Sequence, residues 1–129
     1  MLPSPTSGHL SANRKDFISR SSSNSMGIKE AQTQVHDWVS LHKIGYFQPL
    51  EIMTRLTEET GELAREVNHR FGPKKKKPQE ETKEIGDEMA DIIFTLCCLA
   101  NSLDIDLDES FARVMDKCYG RDKDRYEKK

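Results

Sequence analysis

At 129 residues, the chain has enough material for one hydrophobic core but not for two. Its 20 basic and 22 acidic residues nearly balance, which excludes bulk electrostatic attraction to a nucleic acid polymer or an anionic membrane. No apolar run approaches the roughly 20 residues of a transmembrane span. The three cysteines show no zinc-ligand spacing, and Cys97 and Cys98 are adjacent in an apolar run. They read as buried, reduced thiols in a cytoplasmic protein.

The first 25 residues contain eight serines, one acid (Asp16) and no apolar periodicity. They read as a disordered leader, either a transit peptide or, as preferred here, a vector-derived tag preceding a native start at Met26. The folded domain is expected over residues 26–129.

Four helices follow. Ile28, Ala31, Val35, Trp38, Val39 and His42 recur at three- and four-residue steps, which predicts a first helix over 28–42, stopped by Gly45. Tyr46, Phe47 and Pro49 form an aromatic connector, and proline suits the start of the next helix. That helix is predicted over 50–71 on the line Ile52, Leu56, Leu63 and Val67. At 100° per residue, Glu59 and Glu66 border this line, with Glu62 slightly further round and Glu58 turned toward solvent. Gly61 in mid-helix fits either a close approach by a helix or ligand, or no role at all.

Lys74–Lys77, bracketed by Pro73 and Pro78, reads as a solvated loop. The third helix is predicted over 79–103. Its first half is acidic (Glu80, Glu81, Glu84, Asp87, Glu88, Asp91), and its second half, 92–100, is apolar on nearly every side. A helix apolar all round must be buried all round, so an oligomer centred on this segment is expected. Asp104 or Asp106 can cap a fourth helix over 107–119, with Leu107, Phe111, Val114, Met115 and Cys118 facing inward and Gly120 ending it. With no strand signal or internal repeat, the fold class is an all-α four-helix bundle.

Residues three or four apart on a helix are neighbours, so Glu59 sits beside Glu62, and Glu88 beside Asp91. Carboxylates at the edge of a buried face repel one another and resist desolvation, so a positive partner is expected among them. An oxygen-seeking divalent cation is the simplest one, and two facing pairs suit one or two such ions. Mg²⁺ completes its shell with waters and substrate phosphates, which points to a phosphate-bearing substrate. Lys117, Arg121, Lys123 and Arg125, near the end of the fourth helix, are candidate phosphate ligands. Trp38, Tyr46, Phe47, His69 and Asn101 are candidates for contacting a base.

Together these residues carry a resemblance. Glu58-Glu59-x-x-Glu62, then 25 residues, then Glu88-x-x-Asp91 resembles the signature of the MazG-type all-α nucleoside triphosphate pyrophosphohydrolases. Gly45-Tyr46-Phe47-x-Pro49-Leu50, the run Gly61 to Asn68, Leu99-Ala100-Asn101 and the basic end Arg121 to Arg125 extend the likeness. It implies hydrolysis between the α and β phosphates of a nucleoside triphosphate, serving nucleotide-pool housekeeping. It further implies Mg²⁺, with Mn²⁺ as a substitute, on Glu59, Glu62, Glu88 and Asp91, and a homodimer or homotetramer. On that basis Glu62, beside Glu59, is the expected catalytic carboxylate. Lys117, Arg121 and Arg125 are expected to meet phosphate, and Asn101 and His69 the base. The alternatives are a non-catalytic helical oligomerisation module and a relative that acts on phosphoribosyl-ATP. An iron-binding reading of Glu66-x-x-His69 lacks the second such step it needs.

Overall fold

The structure, a computed structural model, describes residues 27–129. The expectation of a disordered leader falls outside them. The described residues form four helices in order: α1 (Ile28–Val39), α2 (Pro49–Phe71), α3 (Ile85–Ser102) and α4 (Leu107–Tyr119). There is no strand among the described residues, and none of their helices is long and apolar enough to cross a membrane. The fold is the all-α one that the sequence led us to expect.

α2 lies along α3, α1 packs on α3, and α4 packs on α1. The core joins Val35 and Val39 of α1, Ile52 of α2, and Cys97 and Cys98 of α3. Trp38 meets Phe94 edge to face, with ring centroids 5.8 Å apart, and closes one side of that core. Burial raises the Cys97 thiol pKa and pushes that of Cys98 up to about 11. Cys118 is exposed, contrary to the expectation of three buried thiols.

Local signals set the helix ends. Gln48 and Glu51 form a capping box at the start of α2, where Pro49 needs no amide partner. Asp106, rather than Asp104, caps α4, accepting from the amides of Asp108 at 2.9 Å and Glu109 at 3.4 Å. Asp104 instead takes a left-handed turn conformation (φ 54°), which a short polar side chain tolerates. Asp108 of α4 in turn accepts from the first amides of α1, Ile28 and Lys29.

Other expectations need correction too. α1 ends at Val39, because Leu41 and His42 turn back to donate to the Trp38 and Val39 carbonyls. α3 begins at Ile85, six residues later than expected. Glu80 makes ion pairs with α2 and accepts from the Lys77 amide, and Glu84 is extended at the N-cap, so residues 72–84 form a strap along α2. Lys76 in this strap is not simply solvated, since its ammonium lies 2.8 Å from both oxygens of Glu66.

Within one chain the apolar half of α3 is covered on one side only: Thr95, Cys97, Cys98 and Ala100 are buried, while Ile93 and Leu96 are exposed, the face that the expected oligomer would cover. Burial in α4 does need correction. α4 has no buried residue, and Phe111 and Val114 of its expected inward face are exposed.

Candidate metal centre

The helical pairing of α2 with α3 brings the two carboxylate pairs together. One oxygen each from Glu59, Glu88 and Asp91 lies within 4.8 Å of the other two. Glu59 and Glu88 are buried residues on the packed faces of their helices, with side chains 5% and 2% exposed. Glu62 stands one turn further along α2 at the margin of this trio, its side chain 41% exposed. Its charge nevertheless reaches all three of the others.

Two cationic side chains flank the carboxylates. Arg55, one turn before Glu59, places Nη2 2.7 Å from Glu59 Oε1 and Nη1 2.9 Å from Glu58 Oε2. Lys83 enters from the strap, with Nζ 3.7 Å from Glu88 Oε1 and 3.8 Å from Glu62 Oε2. Neither residue was singled out as a site residue from the sequence. Arg55 was legible there, since it precedes Glu58 by three residues and Glu59 by four, the separations at which helical side chains meet. Lys83 had no such signal, because it reaches the cluster across a fold-dependent strap.

This compensation is incomplete. Glu59 Oε2 and Glu88 Oε2 are buried without a hydrogen-bond partner. Burial raises the pKa of Glu59, with Arg55 opposing the rise and the charges of Glu62, Asp91 and Glu88 adding to it. Burial likewise raises Glu88 against the pull of Lys83, with the neighbouring Glu62 and Asp91 carboxylates adding to the rise. Asp91 is raised by burial and by Glu62.

Four carboxylates meet two cations, one of them also shared with Glu58, so negative charge is in excess. An all-oxygen donor set with orphaned buried oxygens suits a hard cation such as Mg²⁺ or Mn²⁺. The residues therefore fit the metal that the sequence implies.

The other sequence candidates lie elsewhere. Glu58 is exposed and held by Arg55, and Asp87, exposed at the start of α3, acts on Asp91 only through its charge. His69 is packed near the end of α2, with Nε2 4.0 Å from Glu80 and Nδ1 buried without a partner. Asn101 joins three segments: its amide group donates to the Gln32 carbonyl at 2.9 Å and the Tyr46 hydroxyl at 3.0 Å, and its oxygen accepts from the Gln32 side chain. Trp38, Tyr46 and Phe47 pack against the core. Lys117 is at the end of α4, Arg121 pairs with Asp122, and Arg125 stacks over Tyr126. Among the described residues, no ion pair joins these three cations to the carboxylate cluster.

Comparison with known proteins agrees with this geometry. Residues 47–126 match the MazG nucleotide pyrophosphohydrolase domain, a stretch that contains the whole cluster. The chain is 54% identical over 102 residues to YpjD of Bacillus subtilis (strain 168), covering 79% of this chain and 92% of that protein. The crystal structure of Bacillus subtilis YpjD superposes with a TM-score of 0.64 at 53% identity, over 71% of this chain and 94% of that one. A Bacillus-conserved MazG protein, itself a nucleotide pyrophosphohydrolase, superposes with a TM-score of 0.62 at 42% identity, over 73% of this chain and 90% of that one. With the domain match covering more than half of its length, the chain belongs to the MazG nucleotide pyrophosphohydrolase family.

Proposed function

We propose that the protein hydrolyses a nucleoside triphosphate between its α and β phosphates, releasing a nucleoside monophosphate and pyrophosphate, as a nucleotide-pool housekeeping enzyme dependent on Mg²⁺. The observation that carries this reading is the convergence of Glu59, Glu88 and Asp91, with two buried carboxylate oxygens left unpartnered, in a chain of this family. Glu59, Glu62, Glu88 and Asp91 would hold the ion. When bound there, a divalent cation neutralises phosphate charge and lowers the pKa of water.

The remaining chemistry belongs to the side chains. Glu62 stands outside the close trio and is open to solvent on one side, which suits it to orient a water and accept its proton. As the water oxygen bonds to the α-phosphorus, the bond from that phosphorus to the α–β bridging oxygen breaks. Pyrophosphate leaves with the electron pair. Arg55 opposes the burial that raises the Glu59 pKa, and so favours the ionised, ligating form of that carboxylate.

Lys117, Arg121 and Arg125 offset charge on the departing pyrophosphate in this reading. The uncovered flanks of α3 (Met89, Ile93, Leu96) and α4 (Phe111, Val114) support a homodimer or homotetramer, in which those cations could come from a facing copy. His69, with its unpartnered Nδ1, and Asn101 are assigned to the base. Asn101 reaches it by exchanging one of its bonds to Gln32 or Tyr46.

The test is product analysis over a panel of standard and modified nucleoside triphosphates and phosphoribosyl-ATP, in ¹⁸O-labelled water, with Mg²⁺ or with chelator. The reading requires Mg²⁺-dependent pyrophosphate release, label in the monophosphate, and loss of both in folded Glu62→Gln. Label in the pyrophosphate, release of orthophosphate alone, or silence across the panel would contradict it.

A further inference from the structure

The strap between α2 and α3 is tied to α2 at Arg65 and Glu66. Glu80 pairs with Arg65 at 3.1 Å, Lys76 clasps the Glu66 carboxylate, and the Lys83 backbone lies near enough to that carboxylate to help lower its pKa. Glu66 is a buried residue, so this clasp is a fixed feature of the helix face. It sets the backbone of Lys83 at the mouth of a recess of about 190 Å³ lined by Glu62, Glu66, Glu80, Lys83 and Glu88.

The two cations of the cluster are held differently. Arg55 comes from the same helix as Glu59 and forks tightly onto its neighbours. The Lys83 ammonium is shared between Glu62 and Glu88 at 3.8 and 3.7 Å, beyond direct hydrogen-bond length, and its side chain is 49% exposed. A flexible stem carrying a point charge, loosely paired and open to solvent, can be displaced without breaking the fold.

We propose that Lys83 is a built-in counter-cation of the carboxylate cluster, seated by the Glu66 clasp, which a divalent ion must displace in order to bind. In the ion-free protein it offsets the repulsion between Glu62 and Glu88. As a competitor for the same charge it weakens cation binding, so an ion is retained only where its own coordination outweighs the lysine. Displacement leaves the ammonium tethered at the rim of the recess. The proposal rests on the reading of the cluster as a cation site, and its test separates the two.

Calorimetric titration of the full chain with Mg²⁺ or Mn²⁺, without nucleotide, measures the competition directly. Lys83→Met is expected to bind the ion roughly tenfold more tightly than wild type, because a unit positive charge about 4 Å from two of the carboxylates is removed. Lys74→Met, which removes the same charge from an exposed position on the strap, should leave affinity near the wild-type value. In the unaltered protein, amine-reactive labelling read by mass spectrometry should rise at Lys83 on adding Mg²⁺ and stay constant at Lys74. A wild type that binds while Lys83→Met binds no more tightly, or Lys83 labelling that does not rise, overturns the proposal and leaves the metal centre standing. Failure of both wild type and Lys83→Met to bind either ion overturns both.

Discussion

Arg55 Nη2 lies 2.7 Å from Glu59 Oε1, while the other oxygen of that carboxylate is buried with no partner at all. Glu59 is thus half satisfied by its own helix and half left for something else. That division locates the functional strain of this fold, and it follows from four acids brought to one helix interface with only two cations beside them.

Removing Arg55 should expose this balance. Arg55→Met leaves the buried Glu59 without its counter-charge, and we expect a loss of about 1–3 kcal/mol, below the range for fully buried pairs because the arginine is partly exposed. Saturating Mg²⁺ should restore part of it by mass action. Urea denaturation of wild type and variant, with chelator and with Mg²⁺, checks both.

The ion-free protein should respond to pH in an unusual direction. Glu59, Glu88 and Asp91 have pKa values raised on folding, so the folded chain binds their protons more tightly than the unfolded one. Their contribution to stability is therefore present at low pH and lost as pH rises from the ordinary carboxylate range through the raised values. Glu66, Glu80 and Asp106 are lowered and act oppositely, losing their stabilisation as pH falls below that range. Thermal midpoints in chelator should thus increase as pH falls from neutral toward the ordinary carboxylate range and decrease below it, whereas saturating Mg²⁺ should flatten the upper slope. A midpoint in chelator that declines steadily from neutral pH would contradict the raised values.

Asn101 ties α3 to α1 and to the Tyr46 connector. Asn101→Ala should cost about 2–3 kcal/mol, because it leaves groups of the part-buried Gln32 and Tyr46 unpaired. Tyr46→Phe, which removes the hydroxyl shared with His36 at 2.8 Å, should cost about 1 kcal/mol. Chemical denaturation measures both, and a neutral Asn101→Ala would free that residue for a purely ligand-facing role.

Gly61 has open space where a Cβ would point, with no atom within 4 Å. Gly61→Ala should stabilise α2 by about 1 kcal/mol through helix propensity alone. An urea midpoint that rises with turnover unchanged fits a glycine without a role. A raised midpoint with turnover lost would mark the place where a ligand or a second copy approaches the helix.

Much of this was legible in the sequence, and the limits have physical causes. The periodicity of Ile52, Leu56 and Leu63 found α2 within one residue, because an amphipathic helix carries its own signal. The spacing of Glu59 and Glu62, and of Glu88 and Asp91, pointed for the same reason to carboxylates of which the fold draws three, Glu59, Glu88 and Asp91, together. The start of α3 was missed because Glu80 and Glu84 suit a helix locally, while Arg65 and His69 of α2 hold Glu80 in the strap. Lys83 and the Lys76–Glu66 clasp were invisible for that reason too, being products of tertiary placement. The apolar stripe of α4 predicted an inward face that no partner covers within one chain.

The central claim is that the carboxylate cluster is held at a cost to the fold in order to bind a divalent cation, and the thermal midpoint of Glu88→Gln tests it most directly. The buried Glu88 carboxylate is disfavoured by burial and by its neighbours Glu62 and Asp91, so neutralising it should raise the midpoint in chelator above that of wild type. Addition of Mg²⁺ should then raise the wild-type midpoint and leave that of the variant in place. A variant less stable than wild type in chelator, or one that Mg²⁺ still stabilises as fully as wild type, would show that Glu88 serves the fold and not the ion.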